Sequence, residues 1–442
     1  MPYEETLESL NNFHPSDIAN KLKKIKKEDD ELFYKLLHNI KEDILGEVLL
    51  ELPENIRNDA YKALSIEELT EAIDELETDD ATNIIKDIED FDIDKANNIL
   101  DGLNQEDQEE INWLKKYEDD EAGSSMQTEL FSANINETIS IAVKRLKFLK
   151  DEGELENIHQ VFIVDEDTTL IASISLEDLI VYDFSLTFKE ILQNEDKYCK
   201  PRSVQANDDI LEVVKLFEDY DLSVVAVTGY KNRLIGRITS DDILDVAGQT
   251  ATEQMYQLAG VKDEFEHEDD LINTSKKRAY WLFINLFTAI LASVVIGAFD
   301  DVLKEFIALA ILMPIVASMG GNAGTQTLAV MVRQLALCDI DDTNQKDAVK
   351  KEVFIALFNG TIFAIILGTL AALWFSNMML GIVISSSMLI TMFCAGLFGS
   401  LIPLVLKKMD IDPAVGSSVI LTTVTDVVGF FSFLGLAKII LM

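Results

Sequence analysis

The sequence is poor in the residues that commonly build catalytic or disulfide-bonded sites. Its 442 residues include 3 cysteines, 4 histidines and 3 tryptophans. Cys199, Cys338 and Cys394 are far apart, so neither a disulfide framework nor a CxxC motif is indicated. The histidines form no HExxH motif, and the sequence contains no P-loop or nucleophile elbow. We therefore predict that the protein is not an enzyme.

Basic residues are also scarce. The chain has 37 Lys and Arg against 78 Asp and Glu, a formal net charge of -41. Such a surface repels a polyanion, so a nucleic-acid partner is not expected. The charge is uneven, because residues 279–442 contain 11 acidic and 8 basic residues, which leaves a net charge of -38 on residues 1–278. The chain therefore consists of two chemically different halves.

The second half contains apolar runs that are long enough to cross a bilayer. A spanning helix needs about 20 apolar residues, because unpaired backbone groups find no water in the lipid. Five runs meet this requirement: 279–299, 306–337, 353–375, 382–406 and 414–442. Gly320-Gly321-Asn322 interrupts the second run, and we expect the helix to be broken there.

The short loops between these runs indicate the orientation in the membrane. Basic residues favour the cytoplasmic side, and they cluster at 276–278, 346–351 and 407–408. The C-terminus should then lie outside after five crossings. The N-terminus has neither a basic start nor an apolar stretch and is not expected to be a signal peptide. We predict a multi-pass protein of the cell membrane whose residues 1–278 are cytoplasmic.

Residues 1–123 are predicted to form an acidic, all-α domain. Apolar residues recur at helical spacing, for example at Leu69, Ile73 and Leu76. Three acidic pairs divide this region: Glu67-Glu68, Asp79-Asp80 and Glu109-Glu110. Acids near a helix start complement the helix dipole. We interpret the pairs as N-terminal caps and solvated helix faces.

Residues 124–248 contain a repeated pattern of strands and helices. Leu170–Ile180 aligns without gaps with Leu234–Leu244, at an offset of 64 residues. This offset predicts two tandem small α/β domains, at 124–185 and 186–248.

Each copy places a hydroxyl three residues before an aspartate where a helix begins. The pairs are Ser175 with Asp178 and Thr239 with Asp242. The pattern resembles a CBS domain pair, a cytosolic regulatory module in which such a hydroxyl and aspartate often hold the ribose of an adenine nucleotide. The same spacing suits helix capping. Capping alone and capping together with nucleotide binding both remain open.

Residues 249–278 connect the two halves. Thr250–Leu258 is predicted to be an amphipathic helix that could transmit motion to the membrane. The acidic residues 263–270 are alternatively part of a flexible tether.

Asp426 is a carboxylate within the last apolar run. A charge at that depth costs at least about 2.5 kcal/mol and indicates a functional site. Since no Lys or Arg lies at a comparable depth in another run, a cation is the expected partner. Pro314 lies in the same stretch as Gly320, and the small residues there are predicted to let either neighbouring helices or an ion approach the backbone.

These features together identify the chain as resembling the MgtE family of magnesium channels. The matching motifs are Tyr117–Met126, Pro314 with Gly320-Gly321-Asn322-x-Gly324-x-Gln326, and Thr425-Asp426-Val427-x-Gly429. The resemblance implies a multidomain membrane protein with an all-α superhelical N-domain at 1–123, an α/β CBS pair, a connecting (plug) helix at 249–278 and a five-span pore domain at 279–442.

The resemblance also implies a function and a set of pore residues. It implies a homodimer whose pore lies on the two-fold axis and admits Mg2+ to the cytoplasm. Asp426 would provide the selectivity carboxylate, and the other pore residues would be Asn322, Thr325, Gly321 and the backbone at Ala310. Mg2+ sheds water reluctantly, which suits a few oxygens around a hydrated ion.

The resemblance further implies cytosolic sensor sites for Mg2+, at Asp79, Asp242, Glu253 and Asp59, and a site for adenine nucleotide such as ATP. Asp242 thus has two candidate ligands. The chain departs from the family pattern at four positions, Asn83, Gln254, Thr325 and Lys304, which affects the number of sensor sites and the recruitment of Mg2+ from outside.

A second interpretation is a secondary transporter or exporter of divalent cations that adenine nucleotide regulates at the CBS pair. A third is a membrane sensor without transport, using the acidic region to dock a partner. The single carboxylate layer at Asp426 favours a channel, and the two pore motifs argue against the sensor.

Overall fold

The structure is a computed structural model that describes residues 13–153, 155, 157–194, 201–259, 271–337, 339–340, 343–409 and 411–442. The chain folds as two compact units, Met1–Ala247 and Gly248–Met442. The predictions made for the N-terminal residues, for Cys199 and Cys338 and for the acidic stretch 263–270 lie outside the described residues.

The first unit begins with a series of short helices. They are α1 (Pro15–Glu28), α2 (Asp30–Leu37), α3 (Glu42–Leu50), α4 (Glu54–Ala63), α5 (Ile66–Asp74), α6 (Thr78–Glu89), α7 (Ile93–Gly102) and α8 (Gln105–Leu114). Leu69, Ile84 and Ile99 are fully buried in a core to which each of these eight helices contributes. Helical spacing put these apolar residues on one face of each helix. The prediction of short amphipathic helices is confirmed.

Helix α5 shows how the sequence sets a helix start. The Ser65 hydroxyl accepts a hydrogen bond from the Glu68 backbone N–H (3.1 Å), and the Glu68 carboxylate accepts one from the Ser65 N–H (2.8 Å). This capping box satisfies two backbone donors that the helix itself leaves unpaired. The Glu67-Glu68 pair therefore is a helix cap, as predicted.

Two copies of a small α/β fold follow. The first contains β1 (Ser132–Asn134), α9 (Ile139–Asp151), β2 (Gln160–Val164), β3 (Leu170–Ser175), α10 (Leu176–Leu179) and α11 (Phe188–Asn194). The second contains β4 (Ser203–Gln205), α12 (Ile210–Tyr220), β5 (Val224–Thr228), β6 (Leu234–Thr239) and the start of α13 (Ser240–Leu258). Helix α13 includes the stretch Thr250–Leu258, as predicted.

The two sheets have the same topology. In each, the first strand is parallel to the second and the second is antiparallel to the third. Ile163 pairs with Ala172 in the first sheet, and Val227 pairs with Gly236 in the second. Both sheets shift register at the next residue of the central strand. The internal repeat read from the sequence is thus a repeat of structure.

All regular secondary structure in the described residues of the second unit is helical. The unit contains α14 (Leu271–Gly297), α15 (Asp300–Glu305), α16 (Ile307–Ala336), α17 (Gln345–Trp374), α18 (Met378–Lys408) and α19 (Ser417–Leu441). Five of these helices, all except α15, are long and apolar enough to cross a membrane. The prediction of five spans is confirmed, although α17 begins eight residues before the apolar run that predicted it.

The predicted break at Gly320-Gly321-Asn322 is wrong, because α16 continues through it from Ile307 to Ala336. A Cβ on Gly320 would lie 2.4 Å from a Thr391 methyl of α18, and one on Gly324 would lie 3.1 Å from Leu421 of α19. These glycines permit close helix packing. A glycine costs a helix only about 1 kcal/mol relative to alanine, whereas a break in lipid leaves several backbone groups unpaired.

Candidate pore and metal-binding sites

An acidic cluster forms where helix α6 begins. The Asp79 side chain is only 3% exposed, and within the described residues its Oδ1 has no hydrogen-bond partner. Burial raises the pKa of Asp79 well above its usual value, and the negative charges of Asp242 and Asp80 raise it further. Asp79 and Asp80 stand in the first turn, as predicted, but the interpretation of Asp79 as a solvated residue is wrong.

The pKa values of Asp80 and Asp242 are raised as well. Burial, followed by the charge of Asp242, raises the pKa of Asp80 to about 7. Burial raises the pKa of Asp242 to about 6, even though a hydrogen bond from Thr239 acts in the opposite direction. Mutual repulsion among desolvated carboxylates disfavours their charged forms. A cation placed among them would relieve that repulsion.

Arg237 contributes a positive charge at one side of this cluster. Its side chain is 2% exposed, and its Nη2 lies 3.1 Å from Glu77 Oε1. Its Nη1 donates to the Asn157 carbonyl (3.0 Å). Even so, burial outweighs the attraction of Arg237 and raises the pKa of Glu77 to about 7. The arginine therefore does not neutralise the cluster.

The geometry limits how a metal ion could be held here. In the parts of the chain that the structure describes, no three Asp, Glu, His or Cys side chains converge as a metal-binding set. Carboxylate oxygens are nevertheless the ligands that hard cations prefer, and Mg2+ commonly keeps several of its waters. The unpaired Oδ1 of Asp79 is suited to a hydrated divalent cation held by few direct ligands.

Two other predicted sensor residues lie elsewhere. Asp59 on α4 forms an ion pair with Lys26 at 2.9 Å, so its charge already has a counterion. Glu253 lies on α13 beyond Ala247, in the second unit, and is exposed. Asn83, one of the departures, is exposed one turn after Asp79. Of the predicted sensor residues, the structure brings together Asp79 and Asp242.

The two hydroxyl–aspartate pairs are formed as predicted but differ in accessibility. Ser175 donates to Asp178 Oδ2 (2.8 Å) and accepts from its backbone N–H (3.1 Å), and Asp178 is exposed. Thr239 donates to Asp242 Oδ2 (2.6 Å), and Gln127 donates to the same oxygen (3.0 Å). Capping by Ser175 is confirmed. Thr239 is buried and Asp242 is partly buried beside the acidic cluster, whereas Asp178 of the first pair is exposed.

Asp426 lies in the middle of helix α19 and is half-buried. Within the described residues it has no hydrogen-bond or ion-pair partner. The preceding Thr425 is fully buried, and its hydroxyl is bonded to the carbonyls of Leu421 and Thr422. The carboxylate of Asp426 is thus left available to a cation.

Helix α16 presents two different faces at the glycine motif. Gly320 and Gly324 pack against α18 and α19, whereas a Cβ on Gly321 would meet no atom within 4 Å. Asn322, Thr325 and Ala310 are exposed, and the Thr325 hydroxyl donates to the Gly321 carbonyl (2.9 Å). The predicted pore residues of α16 therefore share the open side of the helix.

Comparison with known proteins assigns both halves of the chain. The family model "MgtE intracellular N domain" matches residues 13–120, the CBS domain model matches 198–248, and the MgtE model, described as a divalent cation transporter, matches 313–436. A protein of Enterococcus faecalis named magnesium transporter MgtE is 36% identical over 329 residues, which are 74% of this chain and 71% of the relative. The chain belongs to the MgtE family of magnesium transporters.

A second curated relative agrees with this assignment, and a solved structure is also similar to part of the chain. The magnesium transporter MgtE of Thermus thermophilus is 32% identical over 336 residues, covering 75% of this chain and 72% of the relative. A crystal structure of the cytosolic domain of the Mg2+ channel MgtE in complex with ATP is 30% identical, covers 54% of this chain and 93% of that chain, and has a TM-score of 0.48. As an MgtE protein, the chain is a multi-pass transporter of divalent cations.

Sequence reasoning missed several residues of this MgtE protein. Glu77 and Arg237 join the acidic cluster, although the sequence analysis gave neither residue a role. The sequence did offer one indication for Arg237. The aligned residue of the first copy is Ser173, so Arg237 is a charged residue in a strand that is otherwise uncharged. Glu352, one residue before the third apolar run, is 8% exposed within α17 and was also missed.

Proposed function

We propose that this MgtE protein is a Mg2+-selective channel that admits magnesium to the cytoplasm and closes when cytosolic Mg2+ binds the acidic cluster. The observation that carries the proposal is the Asp426 carboxylate in a membrane-spanning helix, without a hydrogen bond or ion pair to the described residues. A membrane carboxylate is costly unless a cation offsets its charge. We take this cation to be Mg2+, because relatives in the same family are named magnesium transporters.

The assembly we propose is a homodimer in the cell membrane. Two Asp426 carboxylates facing each other across a two-fold axis would hold a hydrated Mg2+ by outer-shell contacts, which suits an ion that loses water reluctantly. Asn322, Thr325, Gly321 and the carbonyl of Ala310 would line the same path, because α16 presents them on its open side. The N-terminal unit would be cytoplasmic and the C-terminus external, following the basic loops.

Gating would depend on the charge state of the acidic cluster. Without Mg2+, the charges of Asp79, Asp80 and Asp242 would repel one another and move the start of α6 away from the start of α13. With Mg2+ bound, the two helix starts would be held together. Because α13 continues to Leu258 as one helix, a change at Asp242 would be carried along it toward the membrane half. Several such sites can together supply the about 5.5 kcal/mol that switches a two-state equilibrium.

ATP is a proposed regulatory ligand of the CBS pair. The open Ser175–Asp178 pair supports a ribose contact in the first copy. In the second copy, Asp242 already accepts bonds from Thr239 and Gln127, and its remaining oxygen would be available to Mg2+. We therefore assign Asp242 to metal sensing ahead of nucleotide binding.

Liposomes that contain only this protein test the proposal. Wild-type chain should conduct Mg2+ down its gradient without a coupling ion, and Asp426→Asn should lower Mg2+ flux steeply or remove the preference over monovalent cations. Asp347→Asn is the matched control, since this acid of α17 is 82% exposed and pairs with Lys350. Obligatory counter-flux of H+ or Na+ would instead identify a secondary transporter, and unchanged selectivity in Asp426→Asn would refute the role of Asp426.

A further inference from the structure

The membrane unit contains a polar cavity that does not include Asp426. The cavity has a volume of about 430 Å3 and is lined by residues of α16, α17 and α18. Among its lining residues, Asn322 and Gln326 come from α16, Asn359 and Glu352 come from α17, and Met392 comes from α18. Three long apolar helices thus place a carboxylate and three side-chain amides around one space.

Glu352 is the charged member of this cavity. It is 8% exposed, and within the described residues its carboxylate has neither a hydrogen bond nor an ion pair. Asn322, Gln326 and Asn359 likewise make no side-chain hydrogen bond to any described residue. A buried carboxylate without a partner is costly, and the three exposed amides line the same space as Glu352, so these four side chains together favour a polar occupant of the cavity.

Helix packing holds Glu352 in place. A Cβ on Gly396 of α18 would lie 2.5 Å from the Ala356 Cβ and 3.2 Å from the Glu352 carbonyl oxygen. A Cβ on Gly360 would lie 2.8 Å from the Met392 Cβ. Because α17 and α18 touch so closely, α17 has no room to roll and carry Glu352 out of the cavity.

The chemistry of the lining residues selects a cation. One carboxylate and three amide oxygens are hard ligands, which suit Mg2+ and similar ions. A water occupies about 30 Å3 in the liquid, so the cavity has room for a divalent cation together with its six waters. A single negative charge would bind such an ion weakly enough for it to leave again, as conduction requires.

We propose that this cavity is a second cation-binding site, in which Glu352 supplies the charge and Asn322, Gln326 and Asn359 supply neutral oxygens to a hydrated divalent cation. The choice of Mg2+ as the occupant rests on the proposed function. Asn322 lies both on the open side of α16 and in this cavity, so it connects the site to the proposed pore residues. The site provides a resting position for the ion away from Asp426.

Protection of an introduced thiol measures occupancy directly. Val330→Cys, at a lining position that supplies no proposed ligand, is made in a full chain whose three native cysteines are replaced by serine, and its modification by N-ethylmaleimide is timed in MgCl2 and in NaCl of equal ionic strength. The Asp242→Asn change, which weakens cytosolic sensing, is included, and the same timing in a chain without this change shows whether sensing contributes to the protection. A Mg2+ concentration that fills nine-tenths of the sites should slow the modification about tenfold, because only a tenth of the sites then remain free.

Further variants of the same chain decide the assignment. Glu352→Gln should abolish the protection, Glu352→Asp should retain part of it, and Asp347→Asn should leave it unchanged. Equal modification rates in MgCl2 and NaCl, or protection that persists in Glu352→Gln, would overturn the proposal. Mg2+ flux is measured separately, so that failed protection with intact flux refutes this site alone, and protection without flux refutes the channel alone.

Discussion

The two strand–helix copies share a fold but differ in their surroundings. Each has the same strand order, the same register shift and a hydroxyl bonded to an aspartate at a helix start. Asp178 of the first copy is exposed, whereas Asp242 of the second is in an acidic cluster with Asp79 and Asp80. A local motif therefore acquires its chemistry from the element that packs on it.

One aligned position shows the difference most clearly. Ser173 of β3 corresponds to Arg237 of β6, since the two strands align from Leu170 and Leu234. Ser173 is partly exposed, and Arg237 is buried against Glu77. The second copy thus carries a fixed positive charge next to the carboxylates, and the first copy carries none at that position.

The largest expected effect comes from making the second copy resemble the first at this position. Arg237→Ser leaves Glu77 without its counterion and should cost about 4 kcal/mol of stability. Ser173→Ala is the control and should cost no more than about 0.5 kcal/mol. Urea unfolding of the purified chain in detergent measures both, and Mg2+ should restore part of the loss in Arg237→Ser. Equal effects of the two variants would contradict this account.

The second largest expected difference between the two copies is in how stability depends on pH. The folded pKa values of Asp242 and Asp80 are raised from 3.8 to about 6 and about 7. Their contribution to stability is therefore fully present below pH 4 and is lost as the pH rises to 7. The loss should be about 3 kcal/mol for Asp242 alone, from a shift of about two pKa units.

Unfolding midpoints between pH 4 and pH 8, with and without Mg2+, test this dependence. Excess Mg2+ should flatten the slope, because the bound cation favours the charged carboxylates. Asp242→Asn should remove part of the slope, and Asp178→Asn serves as the matched change in the first copy. A slope that Asp242→Asn and Mg2+ both leave unaltered would show that the cluster is not electrostatically strained.

Inhibition by Mg2+ should also distinguish Asp242 from Asp178, with a smaller change in free energy than the stability effects above. Asp242→Asn should raise the cytosolic Mg2+ concentration that half-inhibits flux by about tenfold, or about 1.4 kcal/mol, as expected when a ligand or its support is lost. Asp178→Asn should leave the inhibition curve in place. Flux into liposomes over a range of Mg2+ concentrations gives both curves. Superimposable curves for wild type and Asp242→Asn would contradict the sensor assignment.

The smallest expected effects concern the two hydroxyls. Ser175→Ala removes an observed helix cap and should cost about 1 kcal/mol, and Thr239→Ala should cost a similar amount. Only Thr239→Ala should also alter Mg2+ inhibition, because the Thr239 hydroxyl lowers the pKa of Asp242. Stability and flux measured on both variants check the difference. A changed inhibition curve in Ser175→Ala would mean that the first copy also senses the ion.

Much of the architecture was predictable because it follows from local patterns. Apolar residues at helical spacing identify the short helices around Leu69 and Ile84, and the aligned segments identify the repeated fold. Asp426 was predictable as a candidate site, since a carboxylate within an apolar run is unusual wherever the helix packs. The break in α16 was predicted wrongly, because glycines that serve close helix packing look in sequence like glycines that end a helix.

By itself, the sequence determined the number of spans, the two tandem copies and the candidate pore carboxylate, because each depends on residues that are near one another in the chain. The tertiary structure alone decided that Asp79 is buried beside Asp242, that Arg237 pairs with Glu77 and that Glu352 enters a cavity with Asn322. These contacts join segments that are distant in sequence. Burial and charge coupling depend on the distance between such segments, and only the packing of the folded chain sets that distance.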